Sequence, residues 1–175
     1  MDWENRIDEL DDDQASLVQM LAGMRALKRS IMNPEFYYCG MEDFLLQNGE
    51  WFKVVPWSRK GYEGQPKNCY NHSMVLCSKH RSLSYVEGVA TVGKLPLPFD
   101  HAWATNAKRE LIDGTWRNEG KTYLGVQFPF RTIVHALKLG NTVLHNPGNR
   151  FALYRDAWKS HKSLIAKPIL SNKQV

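Results

Sequence analysis

The sequence predicts a single α+β domain, and three observations carry that expectation. Apolar residues recur at helical spacing near the amino terminus, just before residue 80 and again after residue 130. Between residues 83 and 128, four strand-like stretches follow one another with only turn formers between them, so they pair antiparallel without crossover helices. At 175 residues, with 43% hydrophobic and 23% charged residues, the chain is long enough for one real core, short for two, and too apolar for bulk disorder.

Each element has a local reason. In DDDQASLVQMLAGMRALKRS, an aspartate cap with acids at the front and bases at the back suits a helix dipole. Leu17, Met20, Leu21, Met24 and Leu27 fall on one side, which predicts an amphipathic helix over 13–31, peripheral to the main fold. MEDFLLQNGEWFKVVPW predicts a short helix, a turn at Asn48-Gly49 and a strand ending before Pro56. SRKGYEGQPKN is loop, with a helix cap at Asn68. Residues 69–80, CYNHSMVLCSKH, are helical by period, with Tyr70, Met74 (or Ser73) and Cys77 along one side. The strands are LSYVEGVATVG, FDHAWATN, RELIDGTW and KTYLGVQF. FRTIVHALKLG is a further helix that Gly140 ends, and NRFALYRDAWKSHKSLI is a last one. Within the one domain, residues 1–30 form an acidic segment and helix, 31–148 the core, and 149–175 a basic tail.

Charge is unevenly spread. The net charge is +5, but the first 13 residues carry −6, which leaves the rest at +11, and six bases against one acid follow from Arg150. Such a surface could meet nucleic acid, an anionic partner or the chain's own acidic end. A solvated basic face is the preferred reading, and nucleic acid is not an expected partner, because no helix carries a dense arginine stripe and no nucleic-acid motif occurs. An acidic amino-terminal lid over a cleft in the basic body is a further expectation. Apolar runs are only a few residues long, so no membrane contact is expected. The first residues lack the apolar core of a secretory signal, and three irregularly spaced cysteines do not form a disulfide framework. A reducing cytoplasm is the expected location.

The stretch HAWATNAKRELIDGTW brings the chemistry. With a three-residue loop at 106–108, residue 105 pairs with 109 and His101 stands directly opposite Asp113, on one face. A two-residue loop would send Asp113 to the other face, so the pair requires an odd loop or a bulge. Cys69 opens a helix after GQPKN, where the dipole and free amides stabilise a thiolate. A nearby His101 would promote the thiolate and deliver a proton to a leaving group, while Asp113 would orient the imidazole. The Cys69 amide and the Gln65 side chain are the candidate oxyanion donors.

These residues resemble a family. NCYNHSMVLC, YVEGVA, HAWATN and LIDGTW, in that order, are similar to the core of transglutaminase-like, papain-type cysteine enzymes. The likeness covers roughly residues 62–128. It extends to small phage and bacterial proteins carrying C-Y-x-N, Y-V-E-G, HAW and D-x-T-W followed by Y-[LF]-G-V. The resemblance implies a papain-like core with a cysteine-opened helix on an antiparallel sheet. It also implies a Cys69–His101–Asp113 triad acting on peptide, isopeptide or side-chain amides, as a hydrolase or deamidase. No cofactor and no metal are implied. Here Gly114 stands where proline is frequent in the family, which leaves Asp113 less rigidly placed.

Other residues have plainer readings. Trp103 and Trp116 are substrate-contact candidates, although strands usually bury such rings. Glu87 either faces the cleft as a substrate contact or pairs with a base; both stay open. Cys39 and Cys77 read as core thiols, and His72, His135, His145 and His161 as surface or capping residues. Cys69, His72, Cys77 and His80 have zinc-ligand types, but in a helix Cys69 and Cys77 are about 12 Å apart, too far to share one ion. The rival to an enzyme is a non-catalytic binding or inhibitory module, phage-encoded, that keeps the fold and engages a host protein within the host cytoplasm.

Overall fold

The computed structural model describes residues 2–32, 36–58, 61–93, 95–130, 132–134, 142–145 and 152–155, with the backbone alone at 95, 96 and 152. A 3₁₀ turn, Trp3–Glu9, leads into α1, Asp12–Ile31. Then come α2 (Met41–Asn48), β1 (Glu50–Trp51), α3 (Cys69–Lys79), β2 (Ser84–Val92), β3 (Leu95–Thr105), β4 (Leu111–Ile112), β5 (Gly120–Phe128) and α4 (Ala152–Arg155). The α+β class holds.

Helix α1 starts where its capping chemistry dictates. The Asp11 carboxylate accepts from Gln14 N at 2.8 Å, and the Gln14 side chain accepts from Asp11 N at 3.3 Å, a reciprocal box. The helix is not peripheral. Leu17, Val18 and Leu21 are fully buried in the main core, whereas Met24 and Leu27, expected on the same stripe, are exposed. Nor does the acidic end form a lid. Asp2 and Glu4 both pair with Arg25 of α1, and Arg25 reaches the buried Asp43 of α2 at 3.6 Å. Trp3 donates to the Gly49 carbonyl at 2.7 Å and meets Trp51 edge-on. Two of the acids, Asp2 and Glu4, thus pin the amino terminus to α1 through Arg25.

The sheet runs β1-β5-β2-β3-β4, antiparallel throughout, as the meander pattern predicts. It curls until its edges meet. Phe52 N donates to Tyr123 O of β5 at 3.2 Å, while Lys53 N donates to Arg109 O and the Lys53 carbonyl accepts from Leu111 N, both at 2.9 Å. The strand expected to reach Pro56 is therefore two residues long, and the residues after it bridge the two edges. Phe52, Val86, Ala90, Trp103, Leu111 and Tyr123 cluster on the concave face. A larger core, with Leu17, Leu21, Phe44, Leu45, Leu76, Val89, Leu124 and Val126, fills the space between the convex face and α1, α2 and α3.

Strand β4 is also shorter than RELIDGTW suggests. It stops at Ile112 because the Asp113 carboxylate accepts from the backbone amides of Thr115 and Trp116, a local turn that competes with the ladder. Residues 130, 132–134 and 152–155 are helical, as expected; the remainder of both predicted helices, Gly140 included, lies outside the described residues.

Two glycines make room beside the concave cluster. Gly125 of β5, Gly88 of β2 and His101 of β3 stand in one row across the sheet. A Cβ on Gly125 would come within 2.6 Å of the Trp103 ring and 2.8 Å of the Glu87 carbonyl. Gly125→Ala is accordingly expected to destabilise the fold by about 1–3 kcal/mol through overpacking, read as a lower midpoint in urea denaturation.

Candidate active site

His101 and Asp113 meet, but not by the register expected. Thr105 pairs with Leu111 and Ala104 with Ile112, so the loop is five residues, 106–110, rather than three. Continuing that register would set Asp113 across from Trp103, one diagonal step from His101. The loop is still odd, so the face is preserved, and the bend after Ile112 closes the remaining distance. Asn106 builds the longer loop: its side-chain oxygen accepts from Lys108 N at 2.9 Å and Glu110 N at 3.1 Å. His101 Nε2 then lies 2.7 Å from Asp113 Oδ2, with both residues 2% exposed.

Asp113 is held on every side. Its Oδ2 also accepts from the Tyr123 hydroxyl at 2.9 Å. Its Oδ1 accepts from Thr115 N at 2.9 Å, Thr115 Oγ1 at 2.7 Å and Trp116 N at 3.2 Å. The expectation that Gly114 loosens this aspartate fails, since five donors fix the carboxylate. Gly114 has another use. Gly64 N donates to its carbonyl at 2.9 Å, and a Cβ there would collide with the Tyr62 carbonyl and sit 2.5 Å from His72 Nε2. The loop that leads into α3 crosses at this point, and His72 Nε2, 2.9 Å from the Tyr62 carbonyl, locks it. His72 is a structural clamp and not a surface residue; the sequence offered no sign of it.

Cys69 is buried at the first position of α3. Asn68 occupies the cap position but makes no side-chain cap, so the first amides of the helix remain available for an acceptor. Ser73, one turn on, donates from Oγ to the Ala102 carbonyl at 3.1 Å. That bond draws α3 against the part of β3 that the two-residue β4 leaves uncovered, beside His101. Cys69 lies close enough to His101 to favour the protonated imidazole. Since Asp113 engages Nε2, Nδ1 is the nitrogen left for the thiol.

The electrostatics follow from these contacts. Burial by itself pushes the His101 imidazole down. Hydrogen bonds and charge from Asp113 and Cys69 outweigh it, and its pKa rises from 6.5 to about 9. Burial likewise opposes the charged form of Asp113, but the bonds from His101, Thr115 and Tyr123 win and its carboxyl is held below the ordinary value. Both shifts run the same way, favouring a protonated imidazole beside an ionised carboxylate. Trp116 stacks on the imidazole, with centroids 4.0 Å apart and planes 16° apart, covering one face of the ring.

The remaining candidates separate. Trp103 is fully buried within the concave cluster and cannot touch a substrate. Gln65 is exposed in the turn before α3, where its backbone carbonyl accepts from Asn68 N. Glu87 fits neither reading offered for it. It is 1% exposed on the opposite face from His101, and accepts from the Tyr85 hydroxyl at 2.8 Å, Val143 N at 2.9 Å and Leu144 N at 2.8 Å. Burial raises its pKa despite those bonds. It fastens segment 142–145 to the sheet. Cys39 and Cys77 are buried thiols; burial raises the first and pushes the second up to about 12. Residues 69–79 are helical, so the zinc-type spacing from Cys69 to His80 is spread over about three turns. Among the described residues no helix is long and apolar enough to cross a membrane.

Sequence reasoning missed Tyr123, Thr115 and Ser73. A signal existed for Thr115, because a threonine two residues after an aspartate commonly closes a side-chain-to-backbone turn. Compared with protein-family models, curated proteins and solved structures, the chain matches none.

A pH dependence follows from the His101 shift. Its folded pKa is raised, so the stability it contributes is fully present below about pH 6.5, the ordinary imidazole value, and is lost as pH rises through about 9. Wild-type Tm is expected to fall between pH 6.5 and 9.5 by more than that of His101→Gln, as followed by circular dichroism.

Proposed function

We propose that the chain is a cysteine-nucleophile acyl-transfer enzyme with a papain-like, transglutaminase-type core, hydrolysing or deamidating amide bonds. One observation carries the reading: a buried imidazole stands 2.7 Å from a carboxylate that four further donors hold, with a helix-opening cysteine near enough to influence it. The three groups follow in the chain order Cys69, His101, Asp113 that the resemblance implies. A carboxylate buried merely for stability gains nothing from a thiol on the other side of its histidine.

The chemistry would run as follows. The Cys69 thiolate attacks the carbonyl carbon, and the oxyanion is met by the uncapped amides at the start of α3. His101 gives its Nδ1 proton to the departing amine, or to ammonia in a deamidation, leaving a thioester on Cys69. Neutral His101 then takes a proton from water, which attacks the thioester and releases the acid and the thiolate. Asp113 holds the imidazole in one tautomer and supports its positive form throughout. A pKa of about 9 suits the acid half of this cycle, because His101 enters it protonated at neutral pH.

The test uses an activated acyl thioester as donor and mass spectrometry as readout. An acyl group is expected on Cys69, turned over by wild type and absent from Cys69→Ala. Asp113→Asn should still acylate but turn over about 10²–10⁴-fold more slowly, by analogy with triads whose carboxylate is neutralised. Acylation spread over all three cysteines without turnover would refute the assignment.

A further inference from the structure

Asp113 divides its donors unevenly. Oδ1 takes the amides of Thr115 and Trp116 and the Thr115 hydroxyl. Among the described residues Oδ2 is left to two groups, His101 Nε2 at 2.7 Å and the Tyr123 hydroxyl at 2.9 Å. A carboxylate oxygen has two lone pairs, so these two fill it and compete for its charge. The hydroxyl is held where it stands. Tyr123 is 1% exposed, its ring packs edge-on against Trp103 with centroids 5.2 Å apart, and a Cβ at Gly120 would collide with the hydroxyl. Glycine at 120 thus leaves the space that the hydroxyl occupies beside the carboxylate. Burial, and then the charge of Asp113, push the phenol above its ordinary pKa, which keeps it a donor.

We infer that Tyr123 is a positioning residue for acyl transfer: by sharing Oδ2 with His101, its hydroxyl limits how strongly Asp113 favours the imidazolium, so that one histidine serves first as acid and then as base. This deepens the acyl-transfer reading and rests on it. In the first half the imidazolium passes its Nδ1 proton to the departing amine. In the second, neutral Nδ1 takes a proton from water, whose oxygen bonds to the thioester carbon while sulfur leaves as thiolate. A carboxylate without the competing donor would hold the imidazolium too firmly for that second half. Besides Asp113 and Tyr123, the titratable groups that bear on the pair are Cys69 of α3, acting on His101, and Glu119 before β5, acting on Tyr123. Tyr123→Phe changes neither and keeps the packed ring.

The experiment follows the His101 ring by nitrogen-15 NMR through a pH titration, in wild type and Tyr123→Phe and again with both in an Asp113→Asn background. The His101 midpoint is expected to rise in Tyr123→Phe by about half a pH unit, about threefold in proton affinity, and to stay put in the Asp113→Asn background. With the acyl thioester donor, hydrolysis of acyl-Cys69 by Tyr123→Phe should be about threefold slower at pH 7, its pH midpoint displaced upward by the same interval, with acylation not slowed. A His101 midpoint that falls or does not move overturns the inference. So does a rise that persists in the Asp113→Asn background, or a hydrolysis profile that Tyr123→Phe leaves in place. Failure of wild type to carry any acyl group on Cys69 would instead remove the acyl-transfer reading, with the NMR midpoints still deciding whether Tyr123 acts on His101 through Asp113.

Discussion

The carboxylate of Asp113 is the constraint from which the site follows. Burying a carboxylate costs several kcal/mol unless donors replace its water, and here five do. Each donor has a structural consequence. The amides of Thr115 and Trp116 end β4 and turn the chain, Tyr123 ties the turn to β5, and His101 is fixed in orientation on β3. The turn also delivers the Trp116 ring onto the imidazole. One buried charge therefore joins three strands and decides which nitrogen of His101 is left for a neighbour.

That early end of β4 has a second effect. A longer β4 would cover the edge of β3 beside His101, where Ser73 instead bonds the Ala102 carbonyl and seats α3. The sheet recovers its closure elsewhere, through Lys53, which bridges to the hairpin at Arg109 and Leu111. The amino terminus of α3, with Cys69 at its first position, is thereby seated at the corner of the curled sheet where β4 ends. Gly114 serves the same arrangement by letting the approach loop of α3 cross at van der Waals distance.

Much of this was legible in the residues. Alternation and turn formers located β2, β3 and β5 to within a few residues, since their patterns are local. The odd-loop condition placed His101 and Asp113 on one face without knowledge of the loop length. The register itself was not legible, because Asn106 stabilises a five-residue loop through side-chain bonds that no periodicity records. β4 was overestimated for a similar reason: Asp113 competes with the ladder. Helix α1 was misjudged as peripheral because its spacing fits Leu17, Met20, Leu21, Met24 and Leu27 equally well, while tertiary packing selects Leu17, Val18 and Leu21. Glu87 could not be read, because beyond the neighbouring Tyr85 hydroxyl its partners are backbone amides more than 50 residues away.

The account stands or falls on whether Cys69, His101 and Asp113 act as one unit. The most direct measurement is the rate of iodoacetamide alkylation at pH 7, resolved cysteine by cysteine, in wild type and His101→Ala. Cys39 and Cys77, whose thiols burial holds in the protonated form, serve as internal references. The account predicts that Cys69 reacts at least about 10-fold faster than either and loses that advantage without the imidazole. Equal reactivity of the three thiols, unaffected by His101→Ala, would contradict it.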